Sequence, residues 1–376
     1  ELGRSPTPVD IITSQQIKRT GFDNLTQILQ RHVPYFNQPR IALADGAEHV
    51  HPFTLRGMRA EQALILVNGK RYHTSASLNF FFFSVGSSPD INTIPVASID
   101  RIEILRDGAA AQYGSDAIAG VINIVLKDDP EAGHIAISTG EYSEGDGATD
   151  NLDISKGFAL GDSGFFNISA NFRDRDSTNR AGLHGSCQFS GCVDTDGNGI
   201  LEAGDPREVT APRQTFRIGD AISEQKAITL NTGFEVGPGE LYGFISYSSR
   251  ENQSAAFFRH NNHGGGNAIL VDGDATIQAG FLPKINTQID DLSFNVGYRV
   301  EFNNDATLDL SYTSGENTID YVTSDTLNSS FANNLRYTTS LSSEEIRASV
   351  PRSAKTYGLE LGLETINLDY TQSFGD

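Results

Sequence analysis

The chain has 376 residues, 37 of them glycine, and carries a formal net charge of −20. A chain this acidic is repelled by nucleic-acid phosphates and by anionic lipid headgroups, so nucleic acid and generic anionic-lipid surfaces are excluded as partners. No apolar run approaches the roughly 18–20 residues of a membrane-spanning helix, so any crossing of a bilayer must use strands.

Residues 1–130 mix helix and strand signals and read as a small α+β domain. The opening "ELGRSPTPVDII" shows no signal peptide, as in a mature or trimmed chain or a cytosolic one. "PVDIITSQQI" reads as a short strand entering a helix, with Ser14 as the N-cap. "DNLTQILQRHV" sets Leu25, Ile28, Leu29 and Val33 on one helical face. "EHVH" (48–51) lacks a third ligand placed by sequence, which favours a solvated loop over a metal site. "ALILVNGKRYH" signals a hairpin, because Asn68-Gly69 supplies the two positive-φ positions of a tight turn. "SIDRIEILRDG" reads as a strand alternating Ile99/Arg101/Glu103 with Ile102/Ile104, ending at an Asp107-Gly108 turn. "AAAQYGSDAIAG" then allows close backbone approach before "GVINIVLK", a buried strand.

After Pro130 the period changes to two. In "LSFNVGYRVEF" Leu292, Phe294, Val296, Tyr298, Val300 and Phe302 face one way; Ser293, Asn295, Gly297, Arg299 and Glu301 face the other. "AITLNTGFEV" repeats the rule, and about nine such strands fall within 131–376, each near or above the ~9–11 residues of a membrane-spanning strand. "ALGDSGFF" and "EVGPGELY" are tight turns, whereas residues 177–224 and 252–287 are long polar loops. Short turns on one side and long loops on the other are an outer-membrane barrel signature. "GDSG" (161–164) reads as a type-I′-like turn; with no ordered His and Asp partners, no phosphate loop and no nucleophile elbow, the chain does not read as an enzyme. Trp is absent, so an aromatic girdle would rest on 12 Tyr and 22 Phe.

The two cysteines, Cys187 and Cys192 in "CQFSGC", favour a disulfide over free thiols or zinc, which implies an oxidising compartment. In "DTDGNGILEAGD", Asp194, Asp196 and Asn198 occupy calcium-loop positions 1, 3 and 5, with Gly199 at the sharp turn. Ile200 would offer its carbonyl, and Glu202 and Asp205 would complete an isolated Ca²⁺ site that stiffens a long loop, the alternative being an acidic surface turn. His260 and His263 in "RHNNHGGG" read as a solvated loop rather than a metal contact.

"TLRGMRAEQALILVNGKR" (54–71), "INTIPVASIDRIEILRDGAAAQYGSDAIAGVINIVLK" (91–127) and the strands after them resemble TonB-dependent outer-membrane receptors. The resemblance implies an α+β plug domain (1–130) inside an antiparallel transmembrane β-barrel, in the bacterial outer membrane among its lipid. It implies energised uptake of a scarce small solute, with an iron–siderophore chelate as the default, driven through TonB. The TonB-contacting segment of the family precedes the first plug strand, so it is expected ahead of residue 1 or barely represented. About nine strands cannot close the 22-stranded ring of this class, so a longer parent protein is expected. By resemblance the loop 73–90 faces outward. Tyr72, His73 and Asn79, with Phe80, Phe81, Phe82 and Phe83, would form a solute-contact surface, the alternative being packing against the barrel wall. Arg56, Arg101, Glu103, Arg106 and Asp107 would either pair with the lumen wall or solvate the plug surface. A calcium-stabilised surface β-protein with an adhesive or structural role is the competing class, but it has no need of a plug.

Overall fold

The computed structural model describes residues 9–77, 87–106, 113–185, 212–259, 280–302 and 306–372. The first region runs β1 (Val9–Thr13), α1 (Ser14–Thr20), α2 (Leu25–His32), β2 (Phe36–Asn37), β3 (Thr54–Leu55), β4 (Met58–Arg59), β5 (Ala63–Val67), β6 (Lys70–Arg71), β7 (Ile99–Leu105) and β8 (Gly120–Leu126). Five of these strands make one sheet in the order β1-β7-β8-β5-β6, while β2, β3 and β4 form a small separate one.

Thr13, not Ser14, caps α1. Thr13 keeps extended backbone geometry, its hydroxyl accepts from the Gln16 N–H, and the Gln16 side chain accepts from the Thr13 N–H at 2.9 Å. Asn24 caps α2, whose Leu25, Ile28 and Leu29 are buried in one cluster with Ile102, Ile104, Ile122 and Ile124. Each such side chain contributes about 1.5–3 kcal/mol on burial. In β7 a bulge between Ile99 and Arg101 resets the alternation, which is why Ile99 is buried together with Ile102 and Ile104. Asn68 (φ 49) and Gly69 (φ 78) make the expected tight turn. Gly120 (φ +133) explains the small residues before β8, since a Cβ there would stand 2.6 Å from the Leu105 carbonyl oxygen.

The second region is one antiparallel sheet of neighbouring strands: β9 (Gly133–Gly140), β10 (Thr149–Leu160), β11 (Gly164–Arg175), β12 (Ile222–Val236), β13 (Gly239–Ala255), β14 (Lys284–Glu301), β15 (Ala306–Ser324) and β16 (Ala354–Gln372). Eight strands are present among the described residues, rather than nine. Between β15 and β16 the chain is helical, as α3 (Ser329–Thr338) and α4 (Ser343–Ser349), packed through Ala332, Ile346 and Val350. The β10–β11 connection is a three-residue loop with only Gly161 at positive φ, not a type I′ turn. No helix among the described residues is long and apolar enough to cross a membrane.

The sheet is polar inside and apolar outside. Ser223, Gln225, Thr229 and Asn231 of β12 are buried against the first region, whereas Ile228 on the other face is exposed. Ile137, Phe172, Ile245, Leu292 and Leu310 repeat this, giving the lipid-facing band of a transmembrane wall. Above the band, Asp174, Glu224, Glu251, Gln288 and Asp320 follow one another in register across β11–β15, so the outer face turns acidic where the strands leave the hydrocarbon. The sheet is an open arc whose edges are β9 and β16, and the first region sits against its concave side as a plug.

Candidate functional site

The site is the contact between plug and wall, built from inward positions that strand register sets side by side. Arg173, Gln225 and Arg250 are neighbours on β11, β12 and β13. Each reaches a different part of the plug. Arg173 lies 4.0 Å from Asp23, the Gln225 amide donates to the Asn92 carbonyl at 2.7 Å, and Arg250 donates to Asp90. Arg250 and Asp90 are each 1 % exposed at the side chain, so this is a fully desolvated ion pair. Such a pair adds little net stability compared with an apolar one, but removing one partner costs about 3–5 kcal/mol. Burial raises the Asp90 carboxyl above its ordinary pKa, and Arg250 opposes the shift.

One step along the strands, Asp291 of β14 lies beside Asn317 of β15. Its carboxylate accepts from the Tyr72 hydroxyl at 2.8 Å, from His73 Nε2 at 2.9 Å and from the Asn317 amide at 2.8 Å. Asn317 in turn accepts from the Ala76 N–H at 2.8 Å. Burial, then the neighbouring Asp291, lifts the Tyr72 phenol well above its ordinary pKa, so it remains a donor. The His73 ring lies over Gly315 of β15, where a Cβ would come within 2.9 Å of His73 Cβ and closer still to the ring.

At the short-turn end Lys70 donates to Asp309 at 2.8 Å, and Tyr242 and Arg299 donate to the same carboxylate at 2.7 and 3.1 Å. Burial works to lower the Lys70 pKa, but Asp309 and Tyr242 outweigh it and hold the ammonium above its usual range. An apolar patch of Val50, Ala76, Ile285, Ile289, Ile319 and Tyr321 closes the contact at the long-loop end.

Tyr72 and His73 are therefore buried, with Tyr72 OH and His73 Nε2 bonded to the wall. Asn79 and Phe80, Phe81, Phe82 and Phe83 lie outside the described residues. So do Cys187, Cys192, His260, His263 and the calcium-loop positions Asp194, Asp196, Asn198, Ile200, Glu202 and Asp205. The 48–51 stretch is not solvated. His49 is buried, with Nδ1 2.8 Å from Thr287 Oγ1, and burial, with Arg250, Arg175 and Arg217 nearby, lowers its pKa to about 3. Among the described residues no three His, Cys, Asp or Glu side chains gather as a metal site. Arg101 pairs with Glu103 and Asp100, Arg106 with Asp10, and Arg56 donates to the Arg106 carbonyl; these contacts lie within the plug. Asp107 lies outside the described residues. The residues that fasten plug to wall, Asp90, Arg250, Asp291 and Asp309, are not singled out by sequence. Their signal is an ionisable group on the polar face of a strand or in a plug loop, which many positions share.

Residues 1–121 match the family model described as the TonB-dependent receptor plug domain. The vitamin B12 transporter BtuB of Vibrio cholerae serotype O1 is 32 % identical over 165 residues, which cover 43 % of this chain and 24 % of that protein. The ferric enterobactin receptor PirA of Pseudomonas aeruginosa is 29 % identical over 283 residues, covering 73 % of this chain and 35 % of that one. In fold, a mutant of the ferric enterobactin receptor PfeA from Pseudomonas aeruginosa aligns with a TM-score of 0.57 at 19 % identity, over 85 % of this chain and 45 % of that one. The matched lengths are well under two thirds of these relatives. A matched plug over residues 1–121, seated on an inside-polar, outside-apolar antiparallel wall, identifies a TonB-dependent receptor plug domain followed by strands of an outer-membrane β-barrel.

Proposed function

We propose that the full protein imports a scarce solute across the outer membrane, with an iron–siderophore type chelate as the solute, by a TonB-driven rearrangement of the plug. The observation that carries this reading is the chemistry of the plug–wall contact. It is dominated by hydrogen bonds and ion pairs that water can replace, as a stopper that must shift within its bore requires. Two relatives named for vitamin B12 and for ferric enterobactin support a chelate or a similarly bulky solute. The loop 73–90 supplies solute contacts through Phe80–Phe83. A Ca²⁺ ion at 194–205 and a Cys187–Cys192 disulfide stiffen the long loop; titration of Ca²⁺ into the full-length receptor should show weaker binding after Asp194→Ala. The adhesive alternative draws no support from a fold that fills its own bore.

The test is uptake of radio-iron, supplied as a ferric tris-catecholate, by cells carrying the full-length receptor. Uptake should stop when a protonophore collapses the inner-membrane proton gradient while surface binding persists. Uptake that continues without the gradient would overturn the energised mechanism.

A further inference from the structure

The plug segment 43–51 carries an unusual backbone. Leu43 (φ 58), Asp45 (φ 52), Gly46 (φ 95) and His51 (φ 49) all lie in the left-handed region. Glycine adopts that region freely, and Asp and His enter it in turns. For Leu43 the clash of Cβ with the following carbonyl disfavours it about five- to thirtyfold. Within the segment the regular structure is one 3₁₀ turn, Ala47–His49, in which the His49 N–H donates to the Gly46 carbonyl at 3.0 Å. A single turn does not hold itself in water. The wall supplies the rest. Val50 is buried with Ile285, Ile289 and Ile319, and His49 Nδ1 lies 2.8 Å from Thr287 Oγ1. Gly46 sits so close on Tyr321 that a Cβ would stand 2.6 Å from the ring. These anchors are on β14 and β15, which have a paired strand on either side. The grip leaves His49 1 % exposed, with no partner for Nε2 among the described residues. Such a buried atom, like a left-handed Leu, persists only where its surroundings over-determine it.

We propose that segment 43–51 is a pre-loaded strap: the wall holds it in a backbone conformation that it leaves on release, so part of the work of parting the plug's long-loop end from the wall is already stored in the chain. This rests on the import reading above, which requires the plug to part from the wall. On release Leu43 returns to negative φ and His49 Nε2 gains a water, and both changes favour the parted state. The strap therefore acts opposite in sign to the contacts at Asp90, Asp291 and Asp309, which favour seating.

The experiment compares two variants of the full-length receptor, Leu43→Gly with Asp45→Gly and Leu43→Ala with Asp45→Ala. Native-state hydrogen exchange is read at the Ala47 and His49 amides, which are bonded to the Ala44 and Gly46 carbonyls at 3.0 Å. Leu43 is half-buried and Asp45 exposed, and both variants remove the same atoms beyond Cβ. They differ in whether the backbone takes positive φ without strain. The greater freedom of the released glycine chain offsets part of the gain. The glycine pair should therefore open about tenfold less often than the alanine pair, with β7 and β8 amides equal in both. Exchange within about twofold between the pairs, or faster in the glycine pair, would overturn the proposal. Uptake of radio-iron as ferric tris-catecholate should be at least about threefold slower in the glycine pair, at equal surface binding. Slowed exchange with equal uptake would also overturn it, since the strap would then have no part in the transport stroke. Parent uptake that persists with a protonophore counts against energised import, whereas the exchange ratio alone judges the strain.

Discussion

Replacing Asp291 by alanine would remove one acceptor shared by three buried donors. Tyr72, His73 and Asn317 would each lose a bond of 2.8–2.9 Å in a site where Asp291 itself is 3 % exposed. An unsatisfied buried donor costs about 1–3 kcal/mol. Water entering the space left by the carboxylate re-satisfies part of this, which leaves a loss of about 3 kcal/mol. At 1.36 kcal/mol per tenfold, the segment from Tyr72 to Ala76 should open about 100-fold more often. Native-state hydrogen exchange on the full-length receptor reads this directly at two amides. The Tyr72 N–H is held by the Ile65 carbonyl at 2.9 Å, and the Ala76 N–H by Asn317 at 2.8 Å. Both should exchange about 100-fold faster, while amides of β7 and β8 in the plug core keep their protection. Exchange at Tyr72 and Ala76 within about threefold of the parent would show that Asp291 does not fasten the plug, and the reasoning would fail.

Gly315→Ala should displace His73 and loosen the same segment by about 1–3 kcal/mol through overpacking, detected as faster exchange at Ala76 with the Asp291 carboxylate still present. Leu368→Arg, on the outer face in register with Leu310, should destabilise the wall in lipid vesicles by about 2–4 kcal/mol in urea titrations, whereas Asn367→Arg on the inward face should cost less. Acidification should loosen the plug through His49. The unfolded imidazole takes up a proton below its ordinary 6.5, but the folded one only near about 3, so the unfolded state binds more protons in that window and stability falls as pH falls through it. His49→Gln should flatten this slope between pH 6.5 and 4 in denaturant titrations; an unchanged slope would acquit His49.

The wall was legible because a lipid-facing strand writes a strict period of two, and Leu292 to Val300 keep it without interruption. The hairpin at Asn68-Gly69 was equally plain, since few residue pairs accept two successive positive φ values. The helices α3 and α4 were missed because they are short and bury little beyond Ala332, Ile346 and Val350. A signal was present, as Ser342 and Glu345 form a capping box that opens α4. The fastening contacts were out of reach for another reason. Asp90 and Arg250 are 160 residues apart, and His73 and Asp291 are 218 apart. Which inward residue meets which plug residue depends on the stagger of every strand between them, and one chain's alternation does not encode that stagger.

The inward polarity of the wall has a consequence for what happens when the stopper shifts. An ordinary protein interior dewets, and parting its halves exposes oily surface at about 25 cal/mol per Å². Here the concave surface offers serines, asparagines, glutamine and threonines, each of which exchanges a protein partner for a water molecule at a net difference of only about 0.5–1.5 kcal/mol. The bore is wettable along most of its length, so the staves keep their shape whether solvent or protein fills them, and the stopper can be displaced without dissolving the cask.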